Sequence, residues 1–110
     1  KVGIAGLVID GCIRDADDVE MLGFPVFSRG LNILGTGKER GGTIGAPISI
    51  GDVEMRAGDV IVGDRDGLVV IPAERINEVI DASAQREAKE EDVRSRLKAG
   101  ESSLEIYKFP

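Results

Sequence analysis

The order of apolar and polar residues in the first part of the chain predicts two short strands separated by a helix. Ile4 to Ile9 is a short apolar run with β-branched residues, which is typical of a strand packed on both faces and central in its sheet. We expect the Asp10-Gly11 pair to end this strand in a turn. Asp17 to Leu22 predicts a helix, because acidic residues occupy its first turn and Gly23 follows as a stop. Val26 to Ser28 predicts the second strand.

The middle of the chain predicts a loop followed by short β segments. Gly30 to Gly45 is polar, lacks a clear period and carries five glycines from Gly35 onward, so we interpret it as a loop. Gly51-Asp52 is a two-residue hairpin signal between alternating runs. Two later runs are continuously apolar, and we expect them inside the sheet. The four predicted strands are Ile48 to Ile50, Val53 to Met55, Val60 to Val62 and Leu68 to Ile71.

The last third of the chain predicts one long helix, from Glu74 to Ala99, with Gly100 as its stop. Its first half has an apolar face, formed by Ile76, Val79 and Ile80. Beyond Ile80, only alanines interrupt the polar residues as far as Val93, so this part has little apolar surface to bury. It is either a solvated helix stabilised by Glu-to-Lys and Glu-to-Arg neighbours or a helix that projects toward another subunit. The tail from Leu104 to Phe109 either packs back or docks on a neighbour.

Length and composition favour one acidic domain. The 110 residues suffice for a single core, with residues 1–72 as the sheet part with a short helix and residues 73–110 as the C-terminal helix and tail. Because the chain starts at Lys1, we expect it to be the later part of a longer protein. A net charge of −6 with few aromatic residues argues against a nucleic-acid surface. Cys12 is the only cysteine, and no run is long enough to span a membrane, so we expect a cytoplasmic protein.

The absence of histidine restricts the chemistry that the chain can perform. It excludes Ser-His-Asp and Cys-His catalysis and the usual zinc sites within these residues, and it favours Cys12 as a small buried side chain. A bound metal would then be a hard cation, magnesium or manganese, held by carboxylate and water. No lysine occupies an obviously desolvated position, which disfavours a Schiff-base mechanism.

Arg14 and Asp15 form the candidate site, because they follow the first predicted strand. In open α/β sheets, ligands bind outside the carboxyl ends of strands. The alternative is that the two residues form a solvated ion pair and cap the next helix.

Two other segments are interpreted as an ordinary loop and an ordinary turn. Lys38 is followed by Glu39 rather than the Ser or Thr of a phosphate-binding loop. Asp64 to Gly67 lacks the later ligands of a calcium loop.

Four segments resemble the RraA-like family, in order from Gly3 to Lys108. They are GLVIDGCIRD, ADDVEMLGFPVFSRG, APISIGDVEMRAGDVIVGDRDGLVVIP and KEEDVRSRLKAGESSLEIYK. The family includes 4-hydroxy-4-methyl-2-oxoglutarate aldolases and the regulator of ribonuclease E. The resemblance implies an α/β domain of the swivelling β/β/α type with a long C-terminal helix. Its N-terminal part, which contributes to the site, is expected to be missing here.

The same resemblance implies a metal-dependent aldolase. Asp15 is implied as the Mg²⁺ or Mn²⁺ ligand, Arg14 as the anchor of the substrate carboxylate, and Glu90 as an acidic residue reaching the site of an adjacent subunit in a homotrimer or hexamer. The implied substrates are 2-oxo acids of the 4-hydroxy-4-methyl-2-oxoglutarate type, cleaved to pyruvate, with oxaloacetate decarboxylated as well. From the sequence alone, Glu90 is equally an exposed helix carboxylate. The competing function is a protein-binding regulator of a ribonuclease, and the presence of Asp15 and the long helix favours the enzyme.

Overall fold

The computed structural model describes residues 3–38 and 41–108, and the chain divides into two compact units. The first unit, Lys1–Ile44, contains β1 (Leu7–Ile13), α1 (Ala16–Met21) and β2 (Val26–Leu31). The second unit, Gly45–Pro110, contains four strands and two helices. These are β3 (Ile48–Ile50), β4 (Val53–Met55), β5 (Val60–Gly63), β6 (Leu68–Ile71), α2 (Ile76–Lys98) and α3 (Ser103–Tyr107).

In the first unit, β1 and β2 form a parallel pair joined through α1. The predicted end of the first strand at Asp10-Gly11 is wrong, because β1 starts at Leu7 and continues to Ile13. A register shift between Ile9 and Cys12 accommodates the extra length as a bulge, so the glycine does not break the strand. Arg14 therefore follows β1 directly.

The helix α1 confirms the prediction to within one residue. Gly23 follows its C-cap residue Leu22 with a φ of 62°, a left-handed conformation that glycine adopts without steric cost. β2 extends three residues beyond the predicted Ser28, so the predicted loop starts at Asn32 rather than Gly30. From there to Gly45, the described residues form no helix or strand. Glu39 and Arg40 of that loop lie outside the described residues, as does Phe109 of the predicted tail.

In the second unit, both strand pairs are antiparallel hairpins. The pair β3–β4 confirms the predicted hairpin, and β5 pairs with β6 from Val60 opposite Ile71 to Gly63 opposite Leu68. The connection between β5 and β6 is the predicted plain turn, because Oδ1 of Asp64 accepts from the backbone N–H groups of Asp66 and Gly67 at 2.8 and 3.3 Å.

Asp59 connects the turn before β5 to the start of the long helix. Its Oδ2 accepts from the Arg56 backbone N–H at 2.8 Å, and its Oδ1 accepts from the Ala73 backbone N–H at 3.1 Å. The side chain is half-buried. Ala73–Arg75 then forms a single 3-10 turn that leads into α2. One carboxylate thus orders two segments that are separated along the chain.

The helix α2 carries ion pairs between neighbouring turns. Arg75 pairs with Glu78 and Arg86 with Glu90, both at 2.7 Å, while Arg94 pairs with Glu91 at 3.2 Å. This agrees with a solvated helix stabilised by Glu–Arg neighbours, and its projection toward another subunit stays a prediction. Among the described residues, no helix has the length and apolar character needed to cross a membrane.

Several burial predictions are wrong for this chain, because no described residue is buried. The described strands form three sheets of two strands each, so β1 is not central and β5 and β6 do not lie inside a larger sheet. Cys12 is exposed, and the predicted apolar face of α2 is incomplete because Ile80 remains 59% exposed. An apolar run becomes buried only when another layer covers it, and a two-stranded sheet leaves both strands as edges.

Candidate functional site

The carboxyl ends of β1 and β2 meet at one edge of their sheet, because the two strands run parallel. Arg14 and Asp15 follow β1, and Asn32 and Ile33 follow β2. An open pocket of about 380 Å³ lies at this edge. Its lining consists of Arg14, Asp15, Ala16, Leu31, Asn32 and Ile33. This is the position at which open α/β sheets bind ligands.

Arg14 and Asp15 form a loose, solvated ion pair. Nε of Arg14 lies 3.4 Å from Oδ2 of Asp15, and the two side chains are 59% and 66% exposed. Exposed pairs of this kind contribute little to stability, so both groups are able to exchange their contact for one with a ligand. Gly35 lies beside the guanidinium: a Cβ atom at this position would be 3.5 Å from Nη1 of Arg14. The loop after β2 therefore runs within van der Waals distance of the arginine.

Asp15 occupies the N-cap position of α1 but does not cap it. Its backbone is left-handed, with φ 57° and ψ 42°, and its side chain makes no capping hydrogen bond. The backbone carbonyl still accepts from the Val19 N–H at 3.0 Å. The ion pair of the alternative prediction is therefore correct, while its helix cap is wrong. A non-glycine residue held in this conformation is uncommon, and such residues are concentrated at functional sites.

The structure adds Leu31, Asn32 and Ile33 to the site predicted from Arg14 and Asp15. The backbone N–H of Asn32 donates to the Ile13 carbonyl at 2.9 Å, which extends the contact between the two strand ends. The signal for these residues was present in the sequence. A second strand parallel to the first must present its own carboxyl end at the same edge.

Asp10 lies within β1 rather than in a strand-ending turn, and it pairs with Arg29 of β2. The hydrogen bond from the Arg29 guanidinium, followed by the charge of Asp10, raises the pKa of Arg29 above its ordinary value. This ion pair joins the two strands side by side. Asp10 is thus engaged with the sheet, which leaves Asp15 as the acidic residue of the pocket lining.

Glu90 lies on α2, in the second unit. Nε of Arg86 donates to its Oε1 at 2.7 Å, and this hydrogen bond, followed by the charge of Arg86, lowers the pKa of Glu90 below 4.5. Glu90 also lines an open groove of about 550 Å³ along the helix. Within this chain Glu90 is an exposed, ionised helix carboxylate, as the alternative prediction holds. Its reach into a neighbouring subunit stays a prediction.

Metal binding in the pocket would depend on Asp15. Across residues 3–38 and 41–108, no group of three or more His, Cys, Asp or Glu side chains is arranged to hold a metal ion. The Asp15 carboxylate is nevertheless exposed and makes no capping bond. Magnesium often takes only one or two protein carboxylates and keeps several waters. The donor set of the pocket therefore fits a hard cation bound through one carboxylate.

Comparison with known proteins identifies relatives over most of the chain. A family profile described as RraA-like, Aldolase/RraA, matches residues 1–70. A protein of Halalkalibacterium halodurans, named "Putative 4-hydroxy-4-methyl-2-oxoglutarate aldolase", is 44% identical over 90 residues, which cover 82% of this chain and 43% of that protein. An uncharacterized protein of Methanocaldococcus jannaschii is 36% identical over 105 residues, which cover 94% of this chain and 50% of that protein.

A solved structure is similar to this chain in fold. The crystal structure of an uncharacterized protein from Pseudomonas syringae pv. tomato matches with a TM-score of 0.84 and 32% identity, covering 97% of this chain and 54% of that one. The fold is therefore mixed α/β with a long C-terminal helix. The chain spans about half the length of the curated relatives that it matches.

Proposed function

We propose that this chain, which belongs to the RraA-like family, carries part of the active site of a lyase that releases pyruvate from 2-oxo acids. The proposed substrates are 4-hydroxy-4-methyl-2-oxoglutarate, cleaved at a carbon–carbon bond, and oxaloacetate, which loses carbon dioxide. The main support is the pairing of Arg14 with Asp15 in an open pocket at the carboxyl ends of two parallel strands. The swivelling β/β/α arrangement and a cytoplasmic location, both expected from the sequence, belong to the same proposal.

Arg14 is the proposed anchor of the substrate carboxylate. A guanidinium donates two parallel hydrogen bonds to a carboxylate, which orients the substrate as well as attracting it. The present partner of Arg14 is Asp15 at 3.4 Å, a separation too long for a strong hydrogen bond. A substrate carboxylate is thus able to bind the guanidinium without disrupting a tight internal pair.

Asp15 is the proposed ligand of a divalent cation, Mg²⁺ or Mn²⁺. Its carboxylate is exposed beside the pocket and makes no capping bond to α1. When bound, such a cation would supply Lewis-acid stabilisation of the negative charge that develops on the 2-oxo group. The contribution of the chain is to hold Asp15 next to Arg14, so that one end of the substrate meets both groups.

Glu90 is the proposed proton-transferring residue of a neighbouring subunit's site in a homotrimer or hexamer. Its carboxylate is 49% exposed on α2, so a group on a neighbouring subunit is able to approach it. A carboxylate that accepts a proton acts as a general base. Mixing Glu90→Gln subunits with Asp15→Asn subunits, each inactive alone, is expected to restore turnover at sites that combine an intact Asp15 with an intact neighbouring Glu90. Absence of any recovery in mixed oligomers would place the proton-transferring residue elsewhere.

The proposed activity is tested on the complete protein, by measuring pyruvate release from both substrates with and without Mg²⁺. Replacing Arg14 with Lys keeps the charge but removes the two-pronged geometry, so KM is expected to rise by roughly tenfold or more. Arg65→Lys, in the exposed turn between β5 and β6, is the matched control and should leave KM unchanged. A wild-type protein that releases no pyruvate from either substrate would refute the proposal.

A further inference from the structure

We infer that Asn32 binds the substrate carboxylate together with Arg14, an inference that rests on the proposed function. Three of the six residues that line the pocket have apolar side chains, namely Ala16, Leu31 and Ile33. Asp15, when ionised, only accepts hydrogen bonds. Arg14 and Asn32 are therefore the lining residues whose side chains donate, and an anionic ligand needs donors.

The orientation of the Asn32 carboxamide is set by the loop that follows β2. The backbone N–H of Leu34 donates to Oδ1 of Asn32 at 2.9 Å. Because a backbone N–H must meet an acceptor, the atom facing Leu34 is the amide oxygen and not the nitrogen. This turn of an Asn side chain onto a backbone N–H two residues later is an ordinary way to order a loop. This hydrogen bond engages Oδ1 of Asn32 and leaves its NH₂ group able to donate to a ligand.

The NH₂ group of Asn32 lies on the other side of the same carboxamide. In the part of the chain that the structure describes, the hydrogen bond to Leu34 is the only one made by this side chain. The backbone of Asn32 is held as well, because its N–H donates to the Ile13 carbonyl at 2.9 Å. Asn32 therefore has a donating side chain on a backbone that is fixed at the ends of β1 and β2. A donor fixed in this way loses little conformational freedom when it binds a ligand.

Two donors of different kinds suit one carboxylate. A carboxylate offers about four acceptor positions, and one guanidinium fills two of them. An uncharged NH₂ group then fixes the plane of the bound carboxylate without adding a second positive charge. The exposed apolar side chains of Leu31 and Ile33, at 67% and 89%, offer no competing donor. We therefore assign Asn32 as a binding residue for the 2-oxo acid.

Three substitutions separate binding from loop ordering. Asn32→Asp and Asn32→Ser both keep an oxygen able to accept from the Leu34 N–H. Asn32→Asp removes every side-chain donor, whereas Asn32→Ser retains one O–H donor on a shorter side chain. Asn32→Ala removes the acceptor as well. Asn77→Asp, on the exposed first turn of α2, is the control for a carboxylate added outside the pocket. For each variant, the KM and kcat of pyruvate release and the affinity for pyruvate at saturating Mg²⁺ are measured.

If Asn32 binds the carboxylate, Asn32→Ala raises KM and weakens pyruvate binding by roughly tenfold or more, with a smaller change in kcat. Asn32→Ser, whose single O–H donor lies on a shorter side chain, raises KM less, and Asn32→Asp, which also repels the anion, raises it most. Asn77→Asp should match the wild type. If Asn32 only orders the loop, Asn32→Ser matches the wild type while Asn32→Ala is impaired, and the inference fails although the proposed function stands. A wild-type protein that neither binds pyruvate nor releases it overturns this inference and the proposed function together.

Discussion

The left-handed backbone of Asp15 gives a prediction that separates its conformation from its charge. At φ 57° and ψ 42°, a side chain with a Cβ atom is crowded against the backbone. Asp and Asn tolerate this region better than other residues with side chains, and glycine adopts it freely. We therefore compare Asp15→Asn, Asp15→Ala and Asp15→Gly.

The order of stability expected at position 15 is the reverse of that in a helix. The left-handed conformation costs roughly 1–2 kcal/mol for a residue with a Cβ atom. The greater freedom of glycine in the unfolded chain offsets about 0.4–1 kcal/mol of this. Asp15→Gly should therefore exceed Asp15→Ala in unfolding free energy by about 0.5–1 kcal/mol. The matched controls are Asp81→Ala and Asp81→Gly, at an exposed position within α2. There the alanine variant should be more stable than the glycine variant by about 1 kcal/mol.

Urea denaturation of the five variants measures these differences, and pyruvate release with Mg²⁺ measures the role of the charge. All three Asp15 variants lack the carboxylate and should lose metal-dependent turnover, whatever their stability. If alanine were the more stable residue at position 15, the left-handed assignment would be wrong. If turnover followed stability across the series, Asp15 would be a structural residue and the metal-ligand proposal would fail.

Two further predictions concern carboxylates outside the pocket. Replacing Arg86 with Gln should raise the pKa of Glu90 toward 4.5 in an NMR titration, and Arg94→Gln should raise it less. Because the pKa of Glu90 is lower in the folded chain than in the unfolded chain, its ionised form stabilises the fold above pH 4.5. This contribution is lost as the pH falls through the folded-state pKa of Glu90. Arg86→Gln should therefore make the folded chain lose less stability on acidification. If Glu90 had the same pKa in the wild type and in Arg86→Gln, the assignment of the lowered pKa to Arg86 would be wrong. Asp59→Ala should lower the unfolding free energy by about 1–2 kcal/mol, because two backbone N–H groups lose their acceptor, whereas Asp52→Ala in the exposed β3–β4 turn should change it little. Equal effects of the two would contradict the linking role of Asp59.

The elements predicted well are those whose signals are local. The hairpin β3–β4 forms because Gly51-Asp52 turns the chain between two alternating runs. The long helix forms because residues from Ile76 to Lys98 have no breaker and carry Glu and Arg on adjacent turns. Family membership was also evident, because its motifs are continuous in sequence and the RraA-like profile covers residues 1–70.

The errors concern features that depend on distant partners. β1 continues past Asp10-Gly11 because it pairs with β2 through a bulged register, which is not visible in the strand itself. Cys12 and Ile80 are exposed although their residue types favour burial, because a side chain is buried only where another layer covers it.

The sequence by itself determined the local elements, the family and the adjacency of Arg14 and Asp15. Tertiary structure alone decided what surrounds that pair. The parallel pairing of β1 with β2 brings Asn32 to the same edge, and the left-handed turn at Asp15 keeps its carboxylate from capping α1. The physical reason is that short-range patterns specify backbone conformation, whereas a pocket is formed by residues far apart in the chain, which only strand pairing brings together.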